Sequence, residues 1–127
     1  MHKYNPDVNP DAAKWLALDE DERLRLVRDF HRRVRAKLPN MEAHATVHAI
    51  VENQLAEGLP EATRALKRLL EAGLDRHDCI HAIASVLMEH IWNLTNKQPG
   101  EGDPHAPYLA GLERLTAESW LSSGEHE

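Results

Sequence analysis

Residues 75–95 read DRHDCIHAIASVLMEHIWNLT, and their apolar side chains recur every three or four positions. This spacing places the apolar side chains on one face of an α-helix, where they can pack against a core. Asp75, with Asp78 three residues later, is typical of a helix N-terminus, because such side chains accept hydrogen bonds from the first backbone amides. The stretch predicts a helix over about residues 76–95, with an apolar face formed by Ile80, Ile83, Ala84, Leu87, Ile91 and Leu94.

The rest of the chain divides into helices in the same way. Pro39, Gly58 and Gly73 end three of the periodic stretches, since proline and glycine are unfavourable inside helices. Further helices are predicted over about residues 10–16, 19–38, 41–57, 60–72 and 108–121, with Asn9, Asp19 and Asn40 as N-caps of the first three. The sequence therefore predicts an all-α, single-domain helical bundle of four to five main helices with short loops.

The predicted bundle core spans residues 19–96. It follows an N-terminal lead with a short helix, residues 1–18. A Pro/Gly-rich loop over 97–107, a C-terminal helix over 108–121 and a polar tail over 122–127 complete the chain. A length of 127 residues suits one domain of this kind.

Composition argues against several classes of function. The formal net charge of −6 disfavours binding to nucleic acid or to an anionic membrane surface. No apolar run approaches the ~20 residues that span a bilayer, and the N-terminus lacks the apolar region of a secretory signal. Cys79 is the single cysteine, so the chain cannot form an internal disulfide. We therefore expect a cytoplasmic protein.

Two histidine pairs at one-turn spacing are the clearest candidate site. The segment His44-Ala-Thr-Val-His48 is followed by Glu52, and His77-Asp-Cys-Ile-His81 lies at the start of the helix described first. Residues i and i+4 lie above one another on a helix, so each pair can aim two imidazoles at one point. The candidate metal ligands are His44, His48, His77 and His81, with Glu52 or Glu89 as a further ligand or as a general base.

The two pairs differ in their predicted burial. His44 and His48 fall in the middle of the apolar stripe of their helix, whereas His77 and His81 flank the stripe of theirs. Burying an unpaired polar group costs about 1–3 kcal/mol, so each buried imidazole must find a metal, a hydrogen-bond partner or water. If the two helices are neighbours, the pairs can converge.

Two functions of different class remain open from the residues alone. The first is a metal-binding protein that holds a divalent ion such as zinc, iron or manganese. At most, such an ion would activate water in a hydrolase-like site. The second is a non-enzymatic interaction module, in which the histidines and carboxylates form a buried hydrogen-bond network. Such a module would use its remaining apolar surface for a homodimer or a protein partner.

The stretch from Met41 to Trp92 also carries a family resemblance. Its pattern is His-x3-His-x3-Glu-x-Gln, a proline-initiated helix with an arginine, Arg-His-x3-His, and a glutamate before Ile-Trp. Here the pattern reads His44, His48, Glu52, Gln54, Pro60, Arg64, Arg76, His77, His81, Glu89, Ile91 and Trp92. The stretch resembles a small bacterial family known only as a domain of unknown function (number eighteen forty-one). The resemblance implies an intracellular helical protein and no particular activity. Ser85 departs from it, because some members carry a carboxylate there.

Other residues receive plainer interpretations. His77-Asp78 is similar to the dipeptide of HD-type phosphohydrolases, but Asp78 is better explained as a residue of the helix N-terminus. His31 is expected to be a packing or surface histidine. His90 points away from the two pairs and is expected outside any site, whereas His105 could reach over a pocket. Cys79 is expected to be a packed small residue.

Overall fold

The fold is an all-α arrangement, which confirms the class predicted from the sequence. The computed structural model describes residues 3–33, 41–96 and 102–122. Within these ranges the chain forms seven helices: α1 (Ala12–Ala17), α2 (Glu20–Arg33), α3 (Met41–Ala56), α4 (Pro60–Glu71), α5 (Arg76–Asn96), α6 (Ala106–Arg114) and α7 (Ala117–Ser122). The predicted end of the second helix near 38, the Asn40 cap, residues 97–101 of the predicted loop and residues 123–127 of the tail lie outside the described residues.

Helix α3 lies at the centre of the packing and contacts α1, α2, α4 and α5. Its side chains contribute to two hydrophobic clusters. Ala45 and Ala49 pack with the N-terminal segment, α1 and α2, around the buried ring of Trp15. Val47 and Val51 pack with α4, α5 and α6 in the larger cluster. Helix α3 also lies beside α5, which meets the condition for the two histidine pairs to converge.

Several helix ends follow the residues that predicted them. The Asp19 carboxylate accepts a hydrogen bond from the Glu22 amide at 2.9 Å, and the Asp75 carboxylate accepts one from the Asp78 amide at 2.8 Å. Gly73, after α4, has φ of 101°, a conformation that glycine adopts without steric cost. These local signals placed α4 and α5 within about one residue of their observed bounds.

The predicted start of the first helix was wrong. Helix α1 is capped by Asp11, whose side chain accepts a hydrogen bond from the Lys14 amide. The predicted cap, Asn9, instead accepts a hydrogen bond from the Arg76 side chain at 2.6 Å. A contact between residues so far apart in sequence leaves no local signal.

The predicted C-terminal helix is two helices. The chain breaks at Leu115 and Thr116, because Thr116 and Ser119 exchange side-chain-to-amide hydrogen bonds of 3.1 and 3.0 Å. This reciprocal pair starts a new helix. Helix α6 also begins earlier than predicted, with Pro107 in its first turn.

None of the helices in the described ranges is long and apolar enough to cross a lipid bilayer.

Candidate metal centre

Five histidines from three helices meet at one point of the fold. Helix α2 supplies His31, α3 supplies His44 and His48, and α5 supplies His77 and His81. We call these five residues the histidine cluster. Four of them, His31, His44, His48 and His81, each place one ring nitrogen within 4.8 Å of a ring nitrogen of the other three.

The rings of the cluster are in direct contact. The ring centroids of His31 and His44 are 4.7 Å apart, and those of His44 and His81 are 4.9 Å apart. His77 lies at the edge of the four-histidine group, with its ring centroid 4.3 Å from His81 and 5.7 Å from His48. The Phe30 ring, 5.3 Å from His77, covers the cluster on that side. The four-histidine group therefore has a fifth imidazole beside it.

Burial is deepest on α2 and α3. His31 is 2% exposed and His48 is 1% exposed, whereas His44, His77 and His81 are half-buried. Even in these three, the Nε2 atom is inaccessible to solvent and has no hydrogen-bond partner among the described residues. The same holds for Nδ1 of His48. These nitrogens have left water without gaining a hydrogen bond, which is unfavourable by itself.

The orientation of His31 is set by its own helix. Its Nδ1 lies 2.8 Å from the carbonyl oxygen of Val27, one turn earlier in α2. A carbonyl only accepts hydrogen bonds, so Nδ1 carries the proton and Nε2 carries the lone pair in the neutral ring. A metal-binding histidine is commonly held by such a bond from its other nitrogen.

A buried polar network supports His48 from the opposite side. Arg76 donates two hydrogen bonds of 2.7 Å to the Glu52 carboxylate, one to each oxygen. The Tyr4 hydroxyl donates a hydrogen bond to Glu52 and lies 2.8 Å from Nε2 of His48. Tyr4, Glu52 and Arg76 are each at most 6% exposed. We call these three residues, together with His48, the Tyr4 relay.

Hydrogen bonds from α2 and α5 also hold the N-terminal segment in place. Arg76 donates a hydrogen bond of 2.9 Å to the Pro6 carbonyl, and Arg33 donates one of the same length to the Tyr4 carbonyl. The Asp7 carboxylate accepts a hydrogen bond from the His77 amide at 3.1 Å, at the start of α5. Hydrogen bonds therefore tie the segment from Tyr4 to Asn9 to the end of α2 and the start of α5.

Burial favours the neutral form of three imidazoles and of the Tyr4 hydroxyl. Burial lowers the pKa of His44 to about 4 and that of His81 to about 3, and repulsion from neighbouring imidazoles adds to both effects. Burial and the same neighbours hold the pKa of His48 well below its ordinary value. Burial, followed by the negative charge of Glu52, raises the pKa of the Tyr4 hydroxyl. Neutral imidazole is the form that binds metal ions.

The predicted carboxylates do not join the histidines as ligands. Glu52 is engaged by Arg76 and Tyr4, so it reaches the cluster only through the Tyr4 hydroxyl. Glu89 is exposed and lines a groove with Arg114 and Trp120, formed between α5 and the last two helices. Ser85 lines that same groove.

Sequence reasoning missed two members of the site. His31 stands alone on α2, without a second histidine one turn away, so its helix gives no local signal. Tyr4 lies in an extended segment, where no periodicity indicates which side chain faces the core. The one signal was the aromatic Tyr4 in an otherwise polar, proline-containing segment, which suggests that this side chain is buried.

The remaining described histidines lie outside the cluster. His90 is buried on α5, its Nε2 is 3.2 Å from Nδ1 of His105, and its ring stacks on Tyr108. His105 thus covers His90 and not the cluster. Cys79 is fully buried, as predicted for a packed residue, and burial raises the pKa of its thiol to about 11.

Comparison with known proteins found no matching family model, no matching curated protein and no matching solved structure.

Proposed function

We propose that this protein binds a transition-metal ion through His31, His44, His48 and His81. One observation carries the proposal. Three imidazole nitrogens of this group, Nε2 of His44, Nδ1 of His48 and Nε2 of His81, are shielded from water without a hydrogen-bond partner in the described part of the chain. A bound cation would coordinate these lone pairs, so that nitrogens whose burial destabilises the metal-free protein would contribute to metal binding.

The alternative of a buried hydrogen-bond network is less well supported. In such a network each imidazole would pair with a carbonyl, a carboxylate or another ring nitrogen. His48 has one such bond, to Tyr4, and the inward nitrogen of the same ring has none. Three unpaired nitrogens would cost about 1–3 kcal/mol each in the metal-free protein. A fold that concentrates this cost at one point is typical of a functional site.

The donor set favours zinc or iron over manganese. Four neutral imidazoles suit zinc and iron, whereas manganese prefers carboxylate and water oxygens. A tetrahedral ion with nitrogen ligands about 2.1 Å away separates the ligand atoms by about 3.4 Å. The ring nitrogens, all within 4.8 Å of one another, would close on the ion by small side-chain rotations. When bound, the ion supplies Lewis acidity at this point of the bundle.

Binding, and not hydrolysis, is the function we propose. Four protein ligands leave no open position, which is characteristic of structural sites. Glu52, the predicted general base, is already bonded to Arg76 and Tyr4. A hydrolase-like reaction would require water to replace one imidazole, and it stays a subsidiary hypothesis.

The cellular setting is part of the same proposal. The single, buried thiol of Cys79 suits a reducing compartment, and we propose the cytoplasm. Membership of the domain-of-unknown-function family, with its bacterial origin, stays a prediction from the motif.

An interaction module is the second candidate. Its support is the C-terminal half of α5, where Met88 is 50% exposed, Ile91 39% and Leu94 49%. These side chains recur at helical spacing on one helix, so they could pack against a second copy of the chain or against another protein.

Elemental analysis of the purified, untagged protein tests the proposal. We expect near-stoichiometric zinc or iron, lost in both His44→Ala and His81→Ala. His90→Ala is the matched control, because His90 is a buried histidine of α5 outside the cluster, and this variant should keep its metal. Protein that stays metal-free after incubation with zinc, iron and manganese would contradict metal binding and favour the interaction module.

A further inference from the structure

We infer that Tyr4 is a positioning residue, which fixes His48 in one tautomer and thereby presents Nδ1, not Nε2, to the metal. The inference rests on the proposed function, since it specifies the donor atom of one proposed ligand. It follows from counting donors and acceptors along the Tyr4 relay, from Arg76 to Glu52, Tyr4 and His48.

The Glu52–Arg76 ion pair fixes the first hydrogen bonds of the relay. Both Glu52 oxygens accept hydrogen bonds from Arg76, at 2.7 Å each. Arg76 is always a donor, so Glu52 is an ionised acceptor and has no proton to give. The Tyr4 hydroxyl has a single proton, and it donates this proton to Glu52.

The Tyr4 oxygen requires His48 to be the hydrogen-bond donor. Its oxygen, 2.8 Å from Nε2 of His48, has already given its proton to Glu52 and can only accept from the imidazole. Nε2 of His48 therefore carries the hydrogen, and Nδ1 carries the lone pair. Nδ1 is the buried nitrogen without a hydrogen-bond partner in the described residues, in a ring that is 1% exposed.

The relay gives the buried charges of Glu52 and Arg76 a role beside the histidine cluster. Glu52 and Arg76 neutralise each other, so they add little net charge beside the imidazoles. Their contribution is directional, because Glu52 draws the Tyr4 proton away from His48. Outer hydrogen bonds of this kind orient ligands and raise their basicity, and removing them commonly weakens metal binding by about 10- to 100-fold.

The first test is a two-bond proton–nitrogen correlation spectrum of the metal-free protein, with the His48 signals assigned by their loss in His48→Gln. We expect His48 with Nε2 protonated and Nδ1 unprotonated. The opposite tautomer would overturn the inference. This measurement needs no change at Tyr4, so it stands even if a variant fails to fold.

The second test compares zinc affinity by chelator competition in Tyr4→Phe and Tyr108→Phe. Tyr108 is the matched control, because it is also buried and donates to a side chain, Gln54 at 2.6 Å, outside the cluster. We expect affinity to fall about 10- to 100-fold in Tyr4→Phe and to be unchanged in Tyr108→Phe. We also expect Tyr4→Phe to show a mixture of His48 tautomers.

The outcomes separate this inference from the proposed function. Tyr4→Phe with wild-type affinity and a wild-type tautomer would overturn the positioning role while leaving metal binding intact. A wild-type protein that binds no zinc would overturn the proposed function, while the nitrogen spectrum would still decide whether Tyr4 fixes the His48 tautomer.

Discussion

At the residue scale, the site depends on which nitrogen of each imidazole is already engaged. The Val27 carbonyl engages Nδ1 of His31, and the Tyr4 hydroxyl engages Nε2 of His48, so the two most buried rings present opposite nitrogens to the cluster. The spacing of His44, His48, His77 and His81 was visible in the sequence. The Tyr4–His48 hydrogen bond was not, because it joins atoms that only the tertiary fold brings together. The His31–Val27 bond is local to α2, but helical spacing does not indicate which side-chain conformation His31 adopts.

The buried ion pair gives a prediction about stability at this scale. Arg76→Met removes the guanidinium and leaves the Glu52 carboxylate buried without its partner. We expect the free energy of unfolding of the metal-free protein to fall by about 3–5 kcal/mol, measured by urea denaturation.

Arg64→Met is the control for that prediction. Arg64 also pairs with a glutamate, Glu113, but both side chains are exposed to water. Exposed pairs contribute little, so we expect little change in this variant. Equal losses in the two variants would show that the burial of the Arg76 pair is not what makes it important.

At the element scale, helix ends with local caps were predictable and contacts distant in sequence were not. Asp19 and Asp75 marked the starts of α2 and α5, because a cap needs only neighbouring residues. The break between α6 and α7 also has a local cause, the Thr116–Ser119 pair, which helical periodicity across the break concealed. Placing Tyr4 against α3 needed the whole fold, because an extended segment has no repeating face.

The cap of α7 can be tested directly. In Thr116→Ala the Ser119 amide loses the hydroxyl that accepts its hydrogen bond, so we expect a loss of about 1 kcal/mol of unfolding free energy. Thr63→Ala is the control, because Thr63 is exposed within α4 and alanine is favoured inside helices. If Thr116→Ala were as stable as Thr63→Ala, the break after Leu115 would need another cause.

At the scale of the whole molecule, three helices combine to enclose several neutral imidazoles together. The all-α class followed from composition and periodicity. The short connections around α4 allowed α3 to meet α5, but the sequence left that contact open. Helix α2 brings His31 to the site because its apolar side chains pack against α3 in the smaller hydrophobic cluster. The apolar residues along α2 indicate that one face is buried, but not which helix it packs against.

This enclosure predicts how the stability of the metal-free protein depends on pH. The folded-state pKa values of His44, about 4, and His81, about 3, lie below the value of about 6.5 for an unfolded histidine. Below pH 6.5 the unfolded chain therefore binds more protons, and the free energy of unfolding should fall with decreasing pH, by up to about 1.4 kcal/mol per pH unit for each such histidine.

Urea denaturation between pH 7 and pH 5 measures this slope before most carboxylates titrate. His81→Gln should show a shallower slope, because it removes one of the histidines whose pKa is lowered in the folded state. A free energy of unfolding that stays constant from pH 7 to pH 5 would contradict the burial of neutral imidazoles.

Zinc K-edge X-ray absorption of the zinc-loaded protein tests the metal centre most directly, because it reports the ligands themselves. We expect four nitrogen ligands at about 2.0–2.1 Å, with the outer scattering of imidazole rings. A shell made mostly of oxygen, or one with fewer than three imidazoles, would contradict a site formed by His31, His44, His48 and His81.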